Sequence, residues 1–186
     1  MAINEPRRSL FGAAFRLATN SLVLLGCAPA AARDTQPTDS TGVLPKAANL
    51  ELTTDAGTIV LAQQEARLVY LDFWASWCAP CKLSFPWMQA IHDRYHDRGL
   101  RIIAVGLDKH RQDADRFLES SKPTFTLAFD PAGQSAKKMG LKTMPSAWLI
   151  RGKELQVLHH HAGFRQSDTI QLELVIQQLL AQKVLK

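Results

Sequence analysis

The sequence predicts an α/β protein in which a central mixed β-sheet carries helices on both faces. From residue 50 onward, short apolar runs of strand length alternate with stretches of helical periodicity, and such alternation places helices against a sheet. The last two predicted strands are separated only by a turn at residues 151–153, and a final helix follows them. Strands joined by a short turn run antiparallel, whereas strands joined through a helix run parallel, so the sheet should be mixed.

The first elements should be a β-hairpin and a buried strand. Residues 50–53 and 58–61 flank the turn Asp55–Gly57, as in a hairpin. Residues 68–74 are apolar except for Asp72, which is typical of a strand covered on both faces.

A long helix should follow this strand and end near Arg98, where Gly99 terminates it. Pro86 lies inside the helix and should kink it. Five residues at helical spacing should form its buried side: Leu83, Trp87, Met88, Ile91 and Tyr95.

The sequence pattern in the middle of the chain predicts two strands and two short helices. A buried strand at residues 100–107 precedes a polar helix at 112–120, and a further strand covers 125–129. Residues 130–139 should form another helix, closed by Gly140.

The chain should end with a hairpin and a helix. Its strands cover residues 147–150 and 156–159, and Ser167 or Asp168 caps the last helix. Seven residues should supply the apolar side of that helix: Ile170, Leu172, Leu174, Val175, Ile176, Leu179 and Leu180.

Two cysteines stand where the buried strand leads into the long helix. Cys78 should lie at the helix N-terminus and Cys81 one turn further on, with Pro80 suited to the first turn. This spacing lets the sulfurs approach bonding distance, and the helix dipole favours a thiolate at Cys78. A structural zinc site would need four ligands, and the sequence has no second CxxC pair. The pattern therefore indicates a dithiol/disulfide redox site.

Two motifs carry a resemblance to a known family. Residues 72–82, DFWASWCAPCK, with Pro86 five positions after the second cysteine, resemble the thioredoxin active-site segment, and residues 140–146 resemble the loop that holds the cis-proline of that fold. The extra helix and strand at residues 111–129, together with an export signal, resemble the TlpA/ResA-like exported thioredoxin-fold proteins. The resemblance covers residues 50–183 and implies a thioredoxin-like fold with an N-terminal β-hairpin and a helix–strand insertion.

The resemblance also implies the roles of the site residues. Cys78 would attack a partner disulfide, and Cys81 would release the partner. Asp72 should be the proton acceptor for Cys81, because burial of a lone carboxylate raises its pKa. Pro145 should be cis, and the backbone of Met144 should pair with the extended partner chain.

The partner surface should combine the active-site segment with the proline loop. It would include Trp77, Ala79, Pro80, Met144 and Pro145. No bound cofactor is required, since the cysteines themselves carry two electrons. The protein should act as a monomer, and a membrane protein of the DsbD/CcdA type would supply its electrons.

Two positions depart from the pattern of the TlpA/ResA-like subgroup. Many members carry a glutamate where this chain has Ser84, and many carry a neutral residue where it has Asp72. Both departures weaken the expectation of a role in cytochrome c maturation and favour general disulfide exchange.

The N-terminus indicates export. Residues 1–26 join a basic start to a short apolar run and read as a signal peptide, shorter than the roughly 20 apolar residues of a membrane span. Cys27 after Leu24-Leu25-Gly26 resembles a lipidation site, whereas Ala30–Ala32 offers a site for ordinary signal-peptide cleavage near residue 32.

The rest of the chain divides into two parts. Residues 27–46 would be a flexible tether, and residues 47–186 would be the thioredoxin-like domain. The protein is expected in the periplasm or on the outer face of a bacterial membrane, with a lipid anchor if Cys27 is lipidated.

Composition excludes some classes of protein. The net charge is +5, and removal of residues 1–26, with three arginines and one glutamate, leaves +3 without a basic block. Nothing in this balance indicates nucleic-acid binding. Three cysteines are also too few for a disulfide framework.

Two alternative functions remain. A disulfide oxidase or isomerase would use the same cysteines, since the CAPC sequence does not fix the redox potential. A copper-binding module of the Sco type would use Cys78, Cys81 and a histidine such as His159, although such modules usually have three residues between the cysteines.

Residues 159–161 are all histidine, but they alternate faces on a strand and cannot all bind one ion. His92 and His96 have metal-ligand spacing and more simply form a solvated helix face.

Overall fold

The computed structural model describes residues 45–182. The predicted signal peptide, Cys27 and the tether up to residue 44 lie outside the described residues. The strands are β1 (Glu51–Thr54), β2 (Gly57–Val60), β3 (Leu68–Trp74), β4 (Leu100–Gly106), β5 (Thr126–Phe129), β6 (Ser146–Arg151) and β7 (Gln156–Ala162). The helices are α1 (Ala79–Tyr95), α2 (Arg111–Ser121), α3 (Gln134–Lys138) and α4 (Thr169–Ala181).

The described strands form one mixed sheet in the order β2-β1-β5-β4-β3-β6-β7. Strand β4 pairs in parallel with β3 and β5, and the remaining pairs are antiparallel. The predicted insertion supplies α2 and β5, and β5 lies between β4 and the N-terminal hairpin. The mixed sheet and the place of the insertion are therefore as predicted.

Helices cover both faces of the sheet. On one face, residues of α1, α2 and α4 pack against alternate residues of the central strands. On the other face, the core includes residues of α3 and the segment before β1. This arrangement confirms the predicted layers.

Strand β3 lies at the centre of this architecture. Every residue of β3 is buried, and β4 and β6 pair with it on its two sides. Its C-terminal end leads through residues 75–78 into α1. The cysteines thus lie at the edge of the sheet where the most deeply buried strand ends.

Helix α1 differs from its predicted packing at one position. Leu83 is 60% exposed, whereas Ser84, Met88, Ile91 and Tyr95 are buried. The buried residues follow steps of four, three and four, which define one stripe of an α-helix. Trp87, one turn after Leu83, is also buried, as predicted. Leu83 lies in the first turns of the helix and is exposed, so the prediction that it is buried was wrong. The helix itself continues through Pro86 without interruption.

Helix α4 also buries a narrower stripe than predicted. Leu172, Ile176 and Leu180 recur every four residues and are buried. Ile170 and Leu174 are 73% and 45% exposed. Val175 and Leu179 are partly buried and pack against the same core, as predicted. The prediction that Ile170 and Leu174 belong to the packed side was wrong, because they lie outside this side of the helix.

The first described residues pair with the outer edge of β7. Lys46 forms an antiparallel bridge with Gln156, the Val157 N–H donates to the Pro45 carbonyl (2.9 Å), and the Ala47 N–H donates to the Leu155 carbonyl (2.7 Å). Residues 45 and 46 therefore belong to the sheet edge. Gln156 pairs with Arg151, whereas Ala162, at the other end of β7, pairs with Ser146. The contact with residues 45 and 46 therefore lies at the end of the sheet opposite the start of α1.

Candidate active site

Cys78 and Cys81 form a disulfide at the N-terminus of α1, with their Cα atoms 5.2 Å apart. Cys78 is the N-cap residue of the helix, and its Sγ accepts a hydrogen bond from the Cys81 backbone N–H (3.3 Å). Cys78 is 5% exposed, whereas Cys81 is fully buried. Of the two sulfurs, the one at the helix terminus is thus the one that a partner can reach.

A buried carboxylate, Asp108, fixes the loop before the cysteines. It follows β4, and its two oxygens accept hydrogen bonds from the Ser76 backbone N–H (2.9 Å) and the Ser76 hydroxyl (2.6 Å). The Leu107 N–H also donates to the Trp74 carbonyl (2.9 Å). Sequence reasoning missed Asp108, although an acidic residue directly after a buried strand was the available signal.

Replacement of Asp108 by alanine should loosen this loop. The change leaves the N–H and hydroxyl of Ser76 without their acceptor, and an unsatisfied buried donor costs about 1–3 kcal/mol. We expect the free energy of unfolding to fall by that amount in urea titrations. An Asp115→Ala variant, which removes an exposed ion pair with Arg111, should lose less than about 1 kcal/mol. Equal losses in the two variants would contradict this role for Asp108.

Asp72 lies on the face of β3 that packs against α1. It is 1% exposed, and its Oδ2 atom has no hydrogen-bond partner among the described residues. Its neighbours across the sheet are Ala104 on β4 and Ala147 on β6, so neither flanking side chain offers a counter-charge. Burial raises the pKa of the Asp72 carboxyl well above its usual value. The carboxyl is thereby able to take up a proton under mild conditions.

Ser84 occupies the position on α1 where a glutamate is common in the subgroup that the sequence resembles. It is 1% exposed, and its hydroxyl donates to the Cys81 carbonyl (2.9 Å). Helix α1 therefore contributes no carboxylate at this position.

The loop opposite the cysteines contains a cis peptide bond between Met144 and Pro145, as predicted. The Gly163 N–H donates to the Pro145 carbonyl (2.7 Å), and the Ser146 hydroxyl donates to the Thr143 carbonyl (2.9 Å). Within residues 45–182, the N–H and carbonyl of Met144 make no hydrogen bond. The loop is held on both sides of Met144, whose own backbone groups stay available to another chain.

A groove of about 460 Å³ lies between the active-site segment and this loop. Trp77, Cys78 and Pro80 line one side, and Thr143 and Met144 line the other. The indole of Trp77 is prominent, since this residue is 69% exposed. Of the remaining residues predicted for the partner surface, Ala79 is exposed and Pro145 is buried.

The histidines do not gather into a metal-binding cluster in the part of the chain that the structure describes. His92 and His96 lie with ring centroids 5.2 Å apart on α1. On β7, His160 stacks on Trp148 (4.5 Å), whereas His159 and His161 lie on the opposite face. The three consecutive histidines alternate as predicted.

The chain matches the model of the AhpC/TSA family over residues 43–159. It is similar to the thiol-disulfide oxidoreductase ResA of Oceanobacillus iheyensis, with 34% identity over 97 residues, which are 52% of this chain and 50% of that protein. It is also similar to the ResA protein of Bacillus thuringiensis, with 28% identity over 70% of this chain and 80% of the relative. The sporulation thiol-disulfide oxidoreductase A of Bacillus subtilis is 27% identical over 54% of this chain and 62% of that protein. The match thus spans about half of the first of these relatives.

Solved structures share the fold. A Chlorobium tepidum protein assigned to the DsbE thiol:disulfide interchange proteins is 41% identical, with a TM-score of 0.71, and the match covers 75% of this chain and 98% of that one. StoA from Bacillus subtilis is 24% identical, with a TM-score of 0.59, over 69% of this chain and 96% of that one. These similarities confirm the thioredoxin-like fold.

Proposed function

We propose that this member of the AhpC/TSA family of thioredoxin-fold proteins is a thiol–disulfide oxidoreductase. Its proposed reaction is the reduction of disulfides in other proteins. One observation carries the proposal: the Cys78–Cys81 disulfide lies at a helix N-terminus and borders an open groove. Relatives named as thiol-disulfide oxidoreductases support the same chemistry.

The reaction proceeds in two exchanges. In the reduced protein, the Cys78 thiolate attacks one sulfur of the partner disulfide, and the other partner sulfur leaves as a thiolate. Cys81 then loses its proton and attacks Cys78 Sγ, which re-forms the intramolecular disulfide and releases the second partner thiolate. The partner gains the two electrons that the protein loses. The proton of Cys81 passes to Asp72, the two partner thiolates take up protons from solvent, and no cofactor takes part.

Each exchange uses a different part of the site. The N-terminal end of α1 stabilises the Cys78 thiolate, because the helix dipole and the Cys81 N–H point at that sulfur. Asp72 accepts the proton of Cys81, since it lies in the same buried layer and a carboxyl of raised pKa binds a proton more readily near neutral pH.

The groove holds the partner chain. The unpaired N–H and carbonyl of Met144 form two hydrogen bonds with an extended partner backbone, as a strand edge would. Pro145 orients that segment, and Trp77, Ala79 and Pro80 contact the partner on the side of the cysteines. Main-chain pairing of this kind accepts many sequences, which suits a reductase with several protein substrates.

The site of action is outside the cytoplasm. The basic and apolar sequence of residues 1–26 supports export, and Cys27 would then carry a lipid anchor. Within residues 45–182, no helix is both long and apolar enough to cross a membrane. In an oxidising compartment the protein needs a membrane electron donor, for which we propose a protein of the DsbD/CcdA type.

The direction of the reaction is tested by its equilibrium with glutathione. We expect a potential on the reducing side, near or below the roughly −270 mV of thioredoxin. A value near the roughly −120 mV of strong oxidants such as DsbA would show an oxidase instead. The same experiment with a Cys27→Ser variant checks that the third cysteine does not contribute.

The partners are identified by a trap. In a Cys81→Ala variant, the second exchange cannot occur, so the mixed disulfide between Cys78 and the partner accumulates. Isolation from the exported fraction should yield partners that a reducing agent releases. A Cys78→Ala/Cys81→Ala double variant is the control and should yield none.

A further inference from the structure

Five buried side-chain polar atoms have no hydrogen-bond partner among the described residues, and two of them are Trp74 Nε1 and His92 Nδ1. The other three, which concern the region around Asp72, are Asp72 Oδ2, Trp87 Nε1 and His161 Nε2. Buried polar atoms in folded proteins are almost always hydrogen-bonded, either to protein or to an ordered water. If these three atoms face one common region, that region is where an ordered water would be bound.

The sheet register places Asp72 and His161 in one row. Asp72 pairs with Ala147 on β6, and Ala147 pairs with His161 on β7. Residues paired across a sheet project from the same face, and two interstrand spacings separate the outer Cα atoms by roughly 10 Å. Among the described residues, Ala147 stands between Asp72 and His161 in this row, and its side chain is a single methyl group.

Trp87 covers this row from α1. Its ring lies 5.8 Å from the ring of Tyr70 on β3 and 5.6 Å from the ring of Phe164, which follows β7. Strand β6 lies between β3 and β7, so the indole packs on the α1 side of the sheet near Ala147. The region above Ala147 is thus flanked in its row by two ionisable side chains, with Trp87 packed nearby.

His161 connects this space with the surface. Its side chain is 20% exposed, and its Nε2 lies 3.8 Å from Asp168 Oδ2 near the start of α4. Burial lowers the pKa of His161, although Asp168 opposes this shift. A neutral imidazole can accept a proton on one nitrogen and release one from the other.

We propose that His161 carries protons between Asp72 and solvent, through water held above Ala147. The inference rests on the proposed function, because the Asp72 carboxyl receives one proton from Cys81 in each turnover. That proton passes through the water to one nitrogen of the imidazole, and the other nitrogen releases a proton to solvent. Asp72 is then a carboxylate again, and the next turnover can begin.

Other ionisable groups face the same layer. Tyr70 and Cys81 come from β3 and α1, His159 precedes His161 on the same face of β7, and Asp168 stands beside Nε2. His159 pairs with Leu149, whose side chain lies between it and Tyr70, so it lies outside the row of Asp72. His160 belongs to the opposite face, where it stacks on Trp148.

The adjacent residues His160 and His161 on β7 allow an experiment with a matched control variant. His161→Gln removes the titrating group, and His160→Gln makes the same change on the opposite face of β7. Full-length protein in a Cys27→Ser background is reduced and mixed with an aromatic disulfide reagent, which Cys78 attacks first. The release of the second aromatic thiolate then reports the attack of Cys81 on Cys78, and this attack requires that Asp72 has first lost through the relay any proton that it already holds.

Two results are expected together. His161→Gln should slow the second release roughly tenfold at neutral pH, which is less than the loss of a general base would cost, whereas His160→Gln should leave it unchanged. In NMR titrations of the reduced protein, the imidazole signals of His161 should show a second inflection at the pKa of Asp72, and an Asp72→Asn variant should lack it. If His161→Gln does not fold, as judged by circular dichroism, His161→Asn replaces it.

Either of two outcomes would overturn the relay: equal rates for the two histidine variants, or no inflection of His161 at the Asp72 pKa. The NMR titration needs no protein substrate. A protein that shows the coupling but fails to reduce insulin would refute the proposed function and leave the link between Asp72 and His161 standing.

Discussion

A Cys78→Ser variant should lose at least a thousandfold in the rate of insulin disulfide reduction. The reaction requires a thiolate, and a serine hydroxyl does not ionise at neutral pH to give an equivalent nucleophile. Cys81 cannot replace it, because its side chain is fully buried behind Cys78. The measurement is the turbidity of precipitating insulin chains in the presence of a thiol reductant.

Two controls separate chemistry from folding. Cys81→Ser keeps the outer sulfur, so it should still form a mixed disulfide with insulin while failing to turn over. Cys27→Ser should reduce insulin at the rate of the unaltered chain. Retention of substantial activity by a folded Cys78→Ser protein would refute the proposed mechanism.

An Asp72→Asn variant should be more stable than the unaltered chain at neutral pH. Burial raises the pKa of this carboxyl well above its usual value. The folded state therefore binds the proton more tightly than the unfolded state, in which the pKa is about 3.9. Stability from this group is fully present below that pH and is lost as the pH rises toward the folded pKa. Asparagine does not titrate, so the stability difference in favour of the variant should grow as the pH rises from about 3.9 toward the folded pKa.

The same variant should also slow the release of partners, because Cys81 loses its proton acceptor. Urea unfolding at several pH values measures the first effect, and insulin reduction measures the second. Asp108→Asn is the matched control, since that buried carboxylate is hydrogen-bonded to Ser76, and its loss should destabilise the protein. A pH-independent stability difference for Asp72→Asn would show that the carboxyl does not titrate as described.

Much of the fold and the core of the site could be predicted from the sequence because their signals are local. The limits of β3 follow from an uninterrupted apolar run, and the helix start at Ala79 follows from proline and cysteine positions. The cis-proline at residue 145 was predicted from the family resemblance rather than from its own neighbourhood.

Other features depend on which elements meet. Periodicity identified the apolar residues Leu83, Ile170 and Leu174 but could not show that the packed stripes of α1 and α4 pass beside them. The row from Asp72 to His161 depends on the register of three strands, and that register joins residues 89 positions apart in the chain. A sequence pattern that describes one element at a time carries no such information.

The pairing of Lys46 with Gln156 determines at which end of the domain the preceding chain is attached. The chain enters at the end of β7 remote from the cysteines, and the six residue steps from Gln156 to Ala162 span about 20 Å. If Cys27 is lipidated, the bilayer lies behind the domain and the groove faces soluble partners. If the electron donor is a membrane protein, as proposed above, the domain would have to rotate before its cysteines could face that donor. The 18 residue steps from Cys27 to Pro45 reach at most about 60 Å, and with an anchor at Cys27 this reach would set how far the domain can move from the membrane surface.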